Sequence, residues 1–202
     1  MKRSVYTRPN KPLSISVRRR DDFAKVEIAP PPEPAIVDAA SECHVTPPEV
    51  AARMVGYLGP VGDYLTLEPS AGTGNLSRAL IASGHSQYEF VQVERHIKLA
   101  AGLHKYGAVI NRCFLEYAAE VRGRVAFPRV LMNPPFRAVR KHIAAARSLM
   151  GCNGHTEPPM LVALVPDTFE TDGMETLEHL AGGIFATTAV ATKIIRIREV
   201  SA

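Results

Sequence analysis

The amino-acid sequence predicts an α/β fold with a mostly parallel seven-stranded sheet, helices on both faces and an antiparallel hairpin at the C-terminal end. Strand and helix patterns alternate five times along the chain, which is typical of a parallel sheet covered by crossover helices. Two strand-like runs then close the chain with almost nothing between them, and such neighbours pair antiparallel. A glycine-containing loop after the first strand also fits this fold.

The elements follow in order from residue 46. Thr46 is the expected N-cap of a first helix, in which two prolines fall where the first turn tolerates them, and apolar residues recur at helical spacing. Gly84 is the expected stop of the second helix. The predicted strands are 64–68, 88–94, 107–112, 124–133, 160–165, 183–190 and 192–200, and the later predicted helices are 75–83, 95–106, 114–121, 137–150 and 174–181.

Composition bounds the class of protein. The chain has 202 residues, of which 46% are hydrophobic and 22% charged, enough for one globular α/β domain. It contains neither an apolar run of about 18 residues nor a secretory leader, so we expect no membrane association. The three cysteines are scattered and odd in number, which favours a reducing, cytoplasmic setting. Cys152 and His155 form half a zinc site at best, and we predict no metal.

Positive charge is concentrated in two regions. Residues 1–29 contain eight basic and three acidic residues and precede a proline-rich stretch, so we expect residues 1–40 to be a partly disordered basic arm and 41–202 to be the folded domain. The window 121–156 contains seven basic residues and no acidic one. Both regions are candidate contacts for nucleic-acid phosphates, although a solvated surface would look the same.

The loop 68–76 joins the first strand to its helix and has the character of a ligand loop. Gly72 and Gly74 permit a tight turn and close approach of a ligand to the backbone. Ser77 replaces the third glycine of a dinucleotide loop, and Glu94 ends the second strand where a carboxylate can accept both hydroxyls of a ribose. A nucleoside without a diphosphate therefore fits better than a dinucleotide, and a tight turn without ligand is the alternative.

Asn133, Pro134, Pro135 and Phe136 lie at the expected carboxyl end of the fourth strand, the edge where open α/β sheets bind ligands. Two prolines hold the chain extended, so that the Asn133 side-chain oxygen and the Pro134 carbonyl can point the same way. Two such acceptors suit an NH₂ group, which has two hydrogens to donate. Phe136 offers a face on which a planar base can stack. A rigid turn with its phenylalanine in the core is the alternative.

Taken together, these motifs resemble the DNA adenine amino-methyltransferases, which have the Rossmann-like class I methyltransferase fold and use S-adenosyl-L-methionine. The resemblance covers about residues 44–200 and rests on the order of TPPEVAARM, EPSAGTG, VQVE, NPPF and LVALVP. It implies methylation of the N6 amino group of adenine in DNA. It further implies a target-base site at Asn133, Pro134, Pro135 and Phe136, and a cofactor site at Thr46, Pro47, Glu68, Ala71, Gly72, Gly74, Glu94 and Cys113.

Two departures from that family pattern matter. Cys113 stands where similar enzymes have an aspartate that accepts a hydrogen bond from the adenine amino group of the cofactor, and a thiol is a weaker acceptor. Only 36 residues follow Pro166, too few for a target-recognition domain. Sequence selection would then come from the basic arm or from a separate specificity subunit.

Three other functions remain open from the sequence. An RNA base methyltransferase acting on adenine or guanine would suit a substrate selected by shape. A glutamine side-chain methyltransferase would also present an NH₂ group to this motif, but it gives the basic window no role. A catalytically weakened nucleic-acid-binding copy would account for Cys113.

Overall fold

The computed structural model describes residues 45–182 and 190–199. The predicted basic arm 1–40 and all but the last residue of the predicted strand 183–190 lie outside these ranges. The rest of the predicted domain can be compared element by element.

The seven strands form one sheet in the order β3-β2-β1-β4-β5-β7-β6. Strands β1 to β5 pair in parallel, and β7 runs antiparallel to both of its neighbours. The predicted mostly parallel seven-stranded sheet is therefore confirmed. The strands are β1 (Thr66–Pro69), β2 (Phe90–Val93), β3 (Ala108–Ile110), β4 (Arg129–Met132), β5 (Met160–Pro166), β6 (Met174–Leu180) and β7 (Thr192–Arg198).

Within the described residues, five α-helices cover the two faces of the sheet, and helices on both faces were predicted. One buried cluster joins residues of the first three helices to one face of the strands, and a second joins the last two helices to the opposite face. Alternation along β5 shows the division, since Val162 and Leu164 belong to the first cluster and Leu161 and Ala163 to the second. The helices are α1 (Pro48–Tyr57), α2 (Asn75–Ala82), α3 (Ile97–Leu103), α4 (Phe114–Val121) and α5 (Val139–Arg147).

The predicted helix 174–181 is wrong, because Met174–Leu180 form strand β6. This segment is rich in helix-forming residues, but it pairs with β7 along its length, with a register shift between Thr176 and Glu178. An edge strand buries little of either face, so its sequence carries no clear alternation, and pairing overrides local propensity. Among the described residues, β7 pairs antiparallel with β6 and with β5, and the predicted partner strand 183–190 lies almost wholly outside the described ranges.

Two helices begin differently in the structure from what the sequence predicted. Pro47, not Thr46, occupies the N-cap of α1, and no side chain caps the helix. The predicted helix 137–150 begins with a 3-10 turn at Phe136–Ala138 before α5 proper. Both changes leave Thr46 and Asn133 in extended segments at the same edge of the sheet, where they are available for other contacts.

The sheet order reverses between β1 and β4, so the helices that follow these strands diverge and leave a crevice at their carboxyl ends. Within the described residues, no helix is long and apolar enough to cross a membrane, and no group of three or more metal-binding side chains is found.

Candidate active site

A cavity of about 340 Å³ opens at the carboxyl ends of β1, β2 and β4. Its volume lies within the range of about 300–1,000 Å³ typical of small-molecule sites. Of the predicted site residues, the structure brings together on its wall Thr46, Glu68, Ala71, Gly72, Glu94, Cys113, Asn133 and Pro135.

The two glycines of the loop have different roles. Gly72 has a left-handed φ of 57°, and its N–H donates to Glu94 Oε2 over 2.8 Å on the cavity wall. Gly74 lies outside the lining, and a Cβ there would come within 2.7 Å of Leu103 and 2.9 Å of Tyr106. Packing against α3 and the residues after it therefore accounts for Gly74, whereas Gly72 fits a ligand-facing position.

Glu94 is a buried carboxylate held in place by backbone amides. One oxygen accepts the Gly72 N–H, and the other accepts the His96 N–H over 2.8 Å. A carboxylate has about four acceptor positions, so each oxygen can accept one further donor. Glu94 thus presents a fixed pair of acceptors to the cavity, as recognition of two adjacent hydroxyls requires.

Thr46 connects the glycine loop to the asparagine motif. Its carbonyl accepts the Asn75 Nδ2 donor over 2.6 Å, and its Oγ1 accepts from Asn133 Nδ2 over 2.9 Å. Thr46 is only 4% exposed, so both bonds are shielded from water. Because the Asn133 nitrogen donates to Thr46, the amide oxygen is on the opposite branch of that side chain.

The asparagine motif divides between the cavity and the interior. Asn133 and Pro135 line the cavity, whereas Pro134 is buried and Phe136 packs half-buried against the first core cluster. The Pro135 carbonyl accepts the Ala138 N–H and closes the turn, so the turn does not use the Pro134 carbonyl. The stacking role of Phe136 stays a prediction.

Glu68 lies at the bottom of the cavity and holds a proton at neutral pH. Ser77 Oγ lies within hydrogen-bond distance of Glu68 Oε2 and 2.6 Å from Gln92 Oε1. Gln92 Nε2 donates to the Leu103 carbonyl, which fixes the oxygen of that amide toward Ser77. One hydroxyl hydrogen cannot serve two acceptors, so Glu68 must donate to Ser77 while Ser77 donates to Gln92.

The electrostatics agree with this proton count. Complete burial, with a smaller contribution from the Glu94 charge, raises the pKa of Glu68 to about 8. Its other oxygen, Oε1, is buried and accepts no hydrogen bond within the described part of the chain. A neutral acid with an unused oxygen therefore forms the cavity floor.

Cys113 is half-buried at the N-cap of α4 and lines the cavity, without a side-chain bond to the helix. The next residue, Phe114, packs its ring against the His142 ring at 5.6 Å between centroids. His142 was not predicted from the sequence. The available signal was a histidine on the buried face of α5, with Val139, Ile143 and Ala146. Other lining residues that sequence reasoning missed are Asn75, Arg95, His96 and Arg112.

The basic residues of the window 121–156 are only partly at the surface. Arg129 is 3% exposed, lies over the Tyr64 ring and pairs with Glu157 at 2.7 Å, so it is structural. Arg122 and Arg124 follow α4, whose eight residues carry the chain about 12 Å away from the cavity edge. In contrast, α5 starts at that edge, and the exposed basic residues beside it are Arg137, Arg140 and Lys141.

No family model matches the chain, and no curated protein matches it in sequence. Solved structures do match. The 23S rRNA methyltransferase ErmE superposes with a TM-score of 0.58 and 18% identity, over 76% of this chain and 68% of that one. For yhhF from Escherichia coli, provisionally described as a methyltransferase, the TM-score is 0.59 at 17% identity, over 85% and 92%.

The methyltransferase subunit of a type I restriction-modification system from Streptococcus thermophilus gives a TM-score of 0.62 at 17% identity. The match covers 78% of this chain and 45% of the subunit, so the chain spans less than half of that protein. The fold is that of the Rossmann-like methyltransferases. Identities this low establish the fold and leave the substrate to be argued from the site.

The cavity fits the cofactor that this fold implies. Glu94 provides paired acceptors for a ribose, and Gly72 leaves the adjacent wall without a side chain. At the floor, Glu68 Oε1 is a buried oxygen without a partner among the described residues, as a ligand with an ammonium group would require. These acceptor oxygens therefore fit the sugar and the amino-acid portion of S-adenosyl-L-methionine.

Proposed function

We propose that this chain is an S-adenosyl-L-methionine-dependent methyltransferase that methylates the N6 amino group of adenine in DNA. The observation that carries the proposal is the bond from Asn133 to Thr46, which fixes an amide in the lining of the cavity that also contains Glu94 and Gly72. The same threonine accepts from Asn75 beside the glycine loop. One buried residue thus sets the distance between the cofactor loop and the acceptor motif.

The residues of this chain would hold the cofactor by its polar groups. Glu94 would accept the ribose hydroxyls, and the backbone around Gly72 would border the sugar and the chain that leads to sulfur. When bound, S-adenosyl-L-methionine supplies an electrophilic methyl group on a positively charged sulfur. Thr46 and Asn75 both line the cavity and are hydrogen-bonded to each other, so they would exclude water from that end of it.

Asn133 and Pro134 would hold the acceptor amine. An aromatic amine is a poor nucleophile because its lone pair is delocalised into the ring. Two carbonyl acceptors on its two N–H bonds favour a more tetrahedral nitrogen, whose lone pair can then attack the methyl group. Thr46 is a positioning residue in this mechanism, because its hydroxyl accepts from the Asn133 nitrogen and so directs the amide oxygen.

A base in duplex DNA would have to leave the stack to enter this cavity, because a paired and stacked base cannot reach a pocket in the protein. The exposed residues Arg137, Arg140 and Lys141 at the start of α5 would bind the phosphates beside such a base. Since phosphate contacts carry no sequence information, this surface supports binding rather than selection. The basic arm or a separate specificity subunit would supply selection.

Neutralising the basic residues next to the cavity should weaken DNA binding. We expect the double variant Arg140→Ala/Lys141→Ala to raise the Kd for a DNA duplex and to reduce the salt slope, log Kd against log salt, by about 1 to 2. Fluorescence anisotropy between low and moderate salt measures both quantities. The matched control is Arg122→Ala/Arg124→Ala, which removes the same charge at the far end of α4; an equal effect of the two pairs would contradict this placement.

Restoring a carboxylate at the start of α4 should tighten cofactor binding. By resemblance, an aspartate at position 113 would accept the cofactor's adenine amino group, and such a charge-assisted bond contributes about 1.5–3 kcal/mol, or roughly tenfold or more in Kd. Calorimetry with S-adenosylhomocysteine should therefore show a lower Kd for Cys113→Asp. Because aspartate also caps a helix, Cys113→Ser is the control: it caps α4 without the charge and should leave the Kd nearly unchanged.

The decisive experiment offers labelled S-adenosyl-L-methionine with DNA, structured RNA and protein side by side. Label on adenine N6 of DNA is the expected result, identified by nucleoside digestion and mass spectrometry. Transfer to RNA alone would favour the second candidate, an RNA base methyltransferase, which the similarity to the fold of an rRNA methyltransferase makes worth the parallel assay. Transfer to none of the three substrates, despite cofactor binding, would contradict the proposed activity.

A further inference from the structure

His142 is a buried polar residue to which the mechanism above gives no part. It is 7% exposed on the inner face of α5 and lines the cavity. Its Nδ1 atom is buried and has no hydrogen-bond partner among the described residues. Buried ring nitrogens are normally hydrogen-bonded, so this one indicates a partner supplied by a ligand.

The surroundings of His142 keep its imidazole neutral. Burial, and secondarily the positive charge of Arg95, lower the pKa of this histidine. A neutral imidazole has one nitrogen with a lone pair and one N–H group. It can therefore accept a hydrogen bond at neutral pH, which a charged imidazolium cannot.

The position of His142 matches the base end of a bound nucleoside. The order β3-β2-β1-β4 places Glu94, after β2, between the Arg112–Leu115 wall after β3 and the glycine loop after β1. Neighbouring strands are about 4.8 Å apart, so Asn133 after β4 lies on the order of 10 Å from Glu94. A nucleoside whose ribose is held at Glu94 and whose methyl group faces Asn133 must direct its base toward Phe114, against which the His142 ring packs.

We propose that His142 recognises the adenine of the cofactor, with Nδ1 accepting a hydrogen bond from the 6-amino group while Phe114 borders the ring. This inference rests on the proposed function, because it takes the ligand to be an adenine nucleoside. It also gives the cavity a strong acceptor near Cys113, whose thiol is a weak one. The 6-amino group has two hydrogens, and the bond to His142 uses only one of them.

His96 is the rival candidate. Its Nε2 atom is also buried and without a partner among the described residues, and it lines the same cavity. However, His96 lies in the turn directly after Glu94 and Arg95, and its backbone N–H is bound to Glu94. It is accordingly the matched control for the experiment below.

The test compares two ligands on each variant by calorimetry: S-adenosylhomocysteine and its analogue in which the purine lacks the 6-amino group. The wild-type chain should bind the analogue on the order of tenfold more weakly. His142→Phe keeps an aromatic ring against Phe114 and should bring the two Kd values together. His142→Gln, which retains an acceptor, should restore part of the preference, and His96→Phe should keep all of it.

The ratio of two Kd values on one preparation does not depend on the fraction of folded protein. An unchanged preference in His142→Phe, or loss of preference in His96→Phe instead, would overturn the role of His142 while leaving the cofactor assignment intact. Failure of the wild-type chain to bind S-adenosylhomocysteine at all would overturn the proposed function and this inference together.

Discussion

Replacing Asn133 with alanine should lower the rate of methyl transfer by about 10²- to 10³-fold, the loss typical when one fixed polar group is removed from a transition state. The reason is that the amide oxygen holds one N–H bond of the acceptor amine, and alanine offers no acceptor. Single-turnover transfer from labelled cofactor to DNA measures this rate. Cofactor binding should change by less than about threefold, since Asn133 donates to Thr46 and not to the residues around Glu94.

The Thr46→Val variant tests the orientation of the Asn133 amide separately from its role as hydrogen-bond acceptor. It retains the Asn133 oxygen but removes the hydroxyl that fixes the amide, so we expect a smaller loss of about tenfold. The Thr46 carbonyl, which anchors Asn75, is unaffected by this change. If Asn133→Ala transferred methyl groups at the wild-type rate, the acceptor role of this amide would be refuted.

The sequence predicted the parallel part of the sheet well because its central strands β1, β4 and β5 are buried on both faces. Met160–Pro166 is a continuous apolar run, and in the structure all but its last residue are buried. The prediction for β6 was wrong for the converse reason. All but one of its residues are exposed or only half-buried, so the sequence there reflects solvent and local propensity, and only pairing with β7 makes it a strand.

The polar residues of the site were likewise predictable only in part. Glu94, Gly72 and Asn133 were predictable because each follows a recognisable strand in a short motif, and all three line the same cavity in the structure. The contacts between motifs were not predictable. Thr46 bonds to side chains 29 and 87 residues away, and no local pattern encodes such distances.

Burial also gave two motif residues roles that differ from the predicted ones. Gly74 was predicted to approach a ligand, but the absence of its side chain makes room for Leu103 and Tyr106. Glu68 was predicted to line the cofactor loop, but it contacts the Ser77 hydroxyl, which also lies against the Gln92 oxygen, and this arrangement makes Glu68 a neutral acid. Protonation is a property of the assembled site, since it depends on desolvation and on donor counting, neither of which the sequence displays.

The proton on Glu68 should make the folded state less stable as pH rises. An exposed glutamate in the unfolded chain loses its proton above about pH 4.5, whereas Glu68 keeps it until about pH 8. Between these values the folded state binds more protons than the unfolded chain, so the free energy of unfolding falls by up to about 1.4 kcal/mol for each pH unit. The total loss at neutral pH is roughly 3 kcal/mol. Above about pH 8, this contribution no longer changes.

The Glu68→Gln variant should remove that pH dependence and keep the hydrogen bonds. A glutamine amide can donate to Ser77 as the neutral acid does, so Ser77 can still donate to Gln92. Urea unfolding at several pH values should show the variant gaining on the wild type from pH 5 to pH 8. The exposed control Glu49→Gln should run parallel to the wild type. A constant difference between Glu68→Gln and wild type across this range would mean that Glu68 is ionised in the folded protein.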